Sequence, residues 1–204
     1  IIHVPLLVAL VTGDLVSGEA AMGTLRMIGT KPISRNKVMI SKFLAGSIYT
    51  LFLTIWLAFL SLIVGQWMFG TGDLMVLNSD GLVIIPENDI LWRYGLGFCL
   101  AYLSLLAIAT MSICFSVFSD NSIGPIVSTM AVIILFTIIG TIDVPTFDFI
   151  QPFLITTHMA SWRSLFEIPV PYSAIYESIG ILFAHIVAFI AIALWKFNRK
   201  DINT

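Results

Sequence analysis

The residues that could do chemistry in this chain are few, and most of them crowd into one stretch. Gly13 to Lys42 carries Glu19 together with Arg26, Lys31, Arg35, Lys37 and Lys42, five of the ten Lys and Arg residues in 204. Charges gathered between two apolar runs suit ion pairing, contact with lipid headgroups or docking on a partner protein. The glycines at Gly23 and Gly29 mimic a phosphate-binding loop, but five residues separate them and Thr30 intervenes before Lys31. Backbone amides wrap a phosphate only with four residues between the glycines and a lysine directly after the second. The chain is therefore not expected to bind ATP itself. His3, His158 and His185 fall on distant segments, and no cysteine pair has ligand spacing, so neither a metal nor haem is expected. Nothing marks a nucleophile, and no enzymatic activity is expected.

The elements that must position these residues are membrane spans. Hydrophobic residues make up 58% of the chain and charged ones 11%, with a mean hydropathy of +1.00. Soluble domains carry about 25% charged residues. A span needs about 20 residues of helix, and four runs qualify: Ile40 to Phe69, Leu91 to Phe118, Ile123 to Ile142 and Tyr172 to Trp195. The first two exceed the membrane's thickness, so they must tilt or protrude. Ile1 to about Thr12 is too short for a span and is read as the end of one that begins upstream. Cys99 and Cys114 lie about 22 Å apart along one helix and cannot bridge each other.

Charge sets the orientation. With Gly13 to Lys42 on the cytoplasmic side, eight of the ten basic residues fall inside and only Arg93 and Arg163 outside, as the positive-inside rule requires. The outer loops are then Gly70 to Ile90 and Asp143 to Pro171. In the first, Asn78-Ser79-Asp80-Gly81 between LMVL and LVII is a turn signal for a hairpin. The second is too apolar to be freely solvated and too rich in proline to span, which predicts short helices resting in the outer interface. Within Gly13 to Lys42, Leu15, Met22, Leu25 and Ile28 follow helical spacing, with Glu19 and Arg26 on another side. That segment could lie on the bilayer or dock on a cytosolic protein.

Ionisable groups inside spans are the remaining candidates. His185 sits near the middle of the last run, with Glu177 about two turns outward, and groups at such depth face a bundle interior or an aqueous path. They are candidates for a substrate path. They are about 80° apart around the helix, which disfavours a direct relay. Ala109, Ser112 and Ser116 form a small-residue stripe suited to a helix-packing seam.

Glu19, Gly23-Thr24-Leu25, Pro32-Ile33-Ser34-Arg35 and Lys42 resemble the E, GTL, P-x-S-R and K series of the ABC-2 type transporter permeases. The tail Phe197-Asn198-Arg199-Lys200-Asp201-Ile202 is similar to that family's basic ending. The resemblance covers about thirty residues closely, and the rest of the chain agrees in topology. It implies an all-α polytopic bundle of six spans, of which five are visible here and the first is partial. It also implies a cytoplasmic amphipathic coupling helix and short outer helices before the last span. Glu19, Gly23, Thr24, Leu25, Arg26, Pro32, Arg35 and Lys42 would then couple the chain to a separate ATPase subunit, which would hold ATP and Mg. A second permease, identical or not, would complete the transporter in a bacterial or archaeal cytoplasmic membrane. The function implied is export across that membrane, with no role for nucleic acid. Two other classes remain open: a secondary transporter or ion channel working without an ATPase, and a membrane assembly or structural subunit.

Overall fold

The computed structural model describes residues 3–24, 33–78, 81–142 and 144–200. Five helices are long and apolar enough to cross a membrane: α1 (His3–Ala21), α2 (Arg35–Phe69), α3 (Glu87–Phe118), α4 (Ile123–Thr141) and, after a short α5 (Ile155–Met159), α6 (Tyr172–Arg199). A multi-pass membrane protein requires helices of this kind. At 35 and 32 residues, α2 and α3 measure about 52 and 48 Å, longer than a hydrocarbon core of about 30 Å.

The bundle is built around α3. From Ala107 to Cys114 every α3 residue is buried, because α1, α2, α4 and α6 all pack on it. Lipid tails are as apolar as leucine, so close packing of small residues, not hydrophobicity, must hold such helices together. The stripe expected at Ala109, Ser112 and Ser116 is this seam. Ser116 Oγ lies 2.5 Å from the Gly13 carbonyl, and Ser112 Oγ lies 3.2 Å from that of Ala9. Gly13 is required there, since a Cβ would sit 2.9 Å from Ser112 Oγ and 3.2 Å from Ile126 Cγ1. The peripheral helices bury single faces. In α2 these are Met39, Phe43, Gly46, Thr50 and Thr54, and in α6 Ile175, Ser178, Leu182, Ile186, Ala193 and Phe197. Both sets follow three-and-four spacing, leaving Phe52, Trp56, Phe59 and Phe183 exposed to the surroundings.

The first apolar run differs from the sequence expectation. Helix α1 does not stop near Thr12 but runs unbroken through Gly13-Asp14 to Ala21, with Gly13, Val16, Ser17 and Gly18 buried. The absence of a side chain at Gly13 permits close contact with Ser112 of α3. The first third of the proposed coupling segment is thus part of a packed helix. Residues 25–32, including Leu25, Arg26 and Pro32, lie outside the described residues.

At the opposite end from Arg35, the expected hairpin forms. Strands β1 (Leu74–Asn78) and β2 (Gly81–Ile85) pair antiparallel with Leu74 opposite Ile85 and Asn78 opposite Gly81. Two strands alone are marginal. Leu74, Val76, Val83 and Ile85 supply the missing surface by packing on Leu100, Leu165, Phe166 and Ile175. The segment before α6 folds as expected into short helical pieces: a 3-10 turn Gln151–Phe153, α5, and a second 3-10 turn Ser161–Phe166.

Candidate functional site

The motif residues that are described come together at the basic end of the bundle. Glu19, in the last turn of α1, pairs with Lys42 on α2, and their side chains are only 27% and 16% exposed. Two residues past α1, Gly23 adopts φ +72°, a left-handed conformation that glycine enters without a Cβ penalty and that commonly terminates helices. Its N–H donates to the Ala20 carbonyl, and the Thr24 hydroxyl donates to that of Glu19. Gly23-Thr24 therefore ends α1 and occupies carbonyls the helix leaves unpaired.

Arg35 opens α2 and closes α6. Its Nη1 donates to the carbonyls of Lys200 at 2.5 Å, Asn198 at 3.2 Å and Phe197 at 3.4 Å. A guanidinium suits this place, because the last carbonyls of a helix are unpaired and carry its negative pole. Lys200 repeats the device one helix further on. Its Nζ donates to the carbonyls of Val117 at 3.1 Å, in the last turn of α3, and of Ser119 at 3.4 Å, just past it, and meets Asp120 Oδ1 at 2.7 Å. Asn198 Nδ2 donates to Asn36 Oδ1 at 2.7 Å. The ends of α2, α3 and α6 are thereby tied by charge, and Glu19 with Lys42 adds α1.

At the hairpin end a residue that the sequence marks only for topology does equivalent work. Arg93 is 5% exposed. Its Nε and Nη2 donate to Asp89 Oδ2 at 3.0 and 2.7 Å, and its Nη1 to the carbonyls of Leu165 at 2.5 Å and Glu167 at 3.1 Å. A buried charge persists only when paired and hydrogen-bonded, and this one fastens the second 3-10 turn onto α3. The only advance signal was an Asp and an Arg four residues apart at the start of a span.

Between these ends lies a cavity of about 970 Å³. Val4 of α1, Thr54, Leu57 and Ser61 of α2, Tyr94, Phe98 and Ala101 of α3, and Ile133 and Thr137 of α4 line it, and Thr156, Met159, Trp162, Arg163 and Phe166 contribute at the hairpin end. The suggested path residues are elsewhere. His185, half-buried, has its Nδ1 2.8 Å from the Ile181 carbonyl one turn back and its ring 6.1 Å from that of Phe189. Glu177 is exposed beside a separate hollow of about 260 Å³. That hollow is bordered by His158, whose Nε2 lies 2.7 Å from the Pro152 carbonyl and whose Nδ1 lies 3.0 Å from Ser178 Oγ. Cys99 is exposed and Cys114 buried, and both are free thiols. Among the described residues no three His, Cys, Asp or Glu side chains converge to hold a metal.

"Uncharacterized protein YhcI" of Bacillus subtilis (strain 168) is 26% identical over 118 residues, covering 55% of this chain and 37% of the relative. The chain thus matches little more than a third of that relative's length. No solved structure matches. The family profile described as "Protein of unknown function (DUF2705)" spans residues 1–203. The chain belongs to the DUF2705 family.

Proposed function

We propose that this chain is the permease subunit of an ATP-driven transporter of the ABC-2 type, working as an exporter in the cytoplasmic membrane with a separate ATPase and a second permease. The basic end faces the cytoplasm in this reading, since Arg35, Lys37, Lys42, Lys196, Arg199 and Lys200 all belong to it and Arg93 and Arg163 to the other. Nucleotide-driven motion of the ATPase would reach the bundle at the connection between α1 and α2.

The observation that carries this reading is the junction at the basic end. Glu19, Gly23, Thr24, Arg35 and Lys42, which resemble the ABC-2 pattern, gather where α1 ends and α2 begins, and Arg35 also meets the basic tail at the end of α6. A push delivered between α1 and α2 would pass through Glu19 and Lys42 to α2, and through Arg35 and Lys200 to α6 and α3. A carboxylate in the last turn of a helix opposes the helix dipole at a cost of about 0.3–1 kcal/mol, which the pairing of Glu19 with Lys42 offsets.

The test is purification of the full chain from its native host under mild detergent. The reading expects an ATP-binding-cassette ATPase to co-purify, hydrolysis to reside in that subunit, and none in the chain alone. A chain recovered without any ATPase from cells that produce it would favour a channel, secondary transporter or assembly subunit instead.

A further inference from the structure

We propose that the 970 Å³ cavity binds an amphiphile with one anionic headgroup, its apolar body along α3 and its head at Arg163. This names the substrate class for the transporter reading and rests on it for the step from ligand to substrate. The volume lies at the upper end of the range of about 300–1,000 Å³ that holds drug-sized molecules.

The walls decide what the body must be. Five of the hydroxyls around the cavity are already committed to backbone carbonyls of their own segments: Thr54 to Thr50, Ser104 to Leu100, Thr137 to Ile133, Thr141 to Thr137 and Thr157 to Gln151. A threonine bonded in this way offers its methyl and little hydrogen bonding. A sugar or hydrated ion would lose water contacts here that the walls cannot replace, at a cost of kilocalories per group. An apolar body loses nothing.

The head is decided by charge. Arg163 is the one charged side chain among the cavity's lining residues, and among the described residues no acidic side chain lies within ion-pair distance of it. It contrasts with Arg93, whose guanidinium is fully engaged. Arg163 stands 5.6 Å from the Trp162 ring centroid, so an anion there would meet a guanidinium backed by an aromatic face. A lone cation on the wall of a cavity lined mainly by apolar side chains and committed hydroxyls is complementary to a single anionic head.

The test uses two fluorescent probes that share one apolar body and differ in the charge of the head, 11-(dansylamino)undecanoic acid and its methyl ester. Each is titrated at neutral pH into the full chain in zwitterionic nanodiscs. The acid should bind about tenfold more tightly than the ester, the equivalent of about 1.4 kcal/mol. Arg163→Gln should bring the two affinities together by weakening the acid, while Ala101→Phe on α3 and Ser61→Phe on α2 should remove binding of both. Equal affinity of the unaltered protein for both probes would overturn the proposal. So would a preference that survives Arg163→Gln, or binding unchanged in both filled variants when these elute as folded protein. A chain that brings down no ATPase but keeps the acid preference retains this site and loses the transporter reading. A chain that engages an ATPase yet binds both probes equally keeps that reading and loses this site.

Discussion

Replacing Lys42 by alanine separates the structural from the coupling role of the junction. The substitution leaves the Glu19 carboxylate, 27% exposed, with Oε2 already lacking a partner among the described residues and Oε1 now lacking one too. Breaking a fully buried pair costs about 3–5 kcal/mol and an exposed one about 0–1 kcal/mol. With the two side chains 16% and 27% exposed, the pair stands between these limits, and screening reduces the buried figure to about 2 kcal/mol. For a chain of this size that is a fall in Tm of about 4–8 °C. The exchanged double variant, Glu19→Lys with Lys42→Glu, restores the attraction and places a cation at the C-terminal end of α1, where the dipole favours it. It should regain Tm to within about 2 °C of the unaltered protein. Under the transporter proposal, partner-dependent ATP hydrolysis should stay impaired, because the ATPase would meet a reversed charge. Thermal unfolding by intrinsic tryptophan fluorescence in detergent reads the first quantity, and nucleotide turnover by the reconstituted complex the second. A Lys42→Ala protein with unchanged Tm would refute the structural argument. An exchanged variant with full coupled activity would remove Glu19 from the coupling account.

Further outcomes test other parts of the bundle. Arg93→Leu should cost about 1–3 kcal/mol by leaving the Leu165 and Glu167 carbonyls without their donor, and should speed hydrogen exchange across residues 160–167, with Arg93→Lys intermediate; unchanged exchange would show that Arg93 does not hold that turn. Gly13→Leu should cost about 1–3 kcal/mol by overpacking against Ser112 and Ile126, and a Tm equal to that of the unaltered chain would mean the α1–α3 seam is looser than described. In a background lacking Cys99 and Cys114, an impermeant maleimide applied to intact cells should label Ser79→Cys and spare Ser34→Cys; the reverse pattern would invert the orientation.

What the sequence discloses depends on how local the cause is. The hairpin at Asn78 to Gly81 was legible because a turn signal and the strands beside it are neighbours in the chain. So was the seam at Ala109, Ser112 and Ser116, because small residues repeat along one helix. The long spans followed from hydropathy alone, and the short helices before α6 from prolines in an apolar segment. The continuation of α1 through Gly13 was not legible, because its cause is a contact with Ser112 and Ser116 about a hundred residues away. Pairing of Glu19 with Lys42 was equally hidden, and both residues were assigned to the site on resemblance without any sign that they meet. Arg93 looked like a topology marker, since nothing in sequence ties it to carbonyls more than seventy residues on. The cavity is assembled from α1 to α4 and the turns before α6, so no single stretch announces it, and His185 and Glu177 drew attention only because charge at depth is unusual.

The central claim is that the connection between α1 and α2 meets an ATPase. Met22, just past α1, is 72% exposed and lies beside Gly23-Thr24. A photoreactive p-benzoylphenylalanine at position 22, irradiated in intact cells and followed by mass spectrometry of the adduct, reads that contact directly. The account predicts a covalent adduct with an ATP-binding-cassette ATPase, and none when the same group replaces Phe149 at the hairpin end. Adducts at position 22 with lipid alone, from cells in which the chain is folded and abundant, would contradict it.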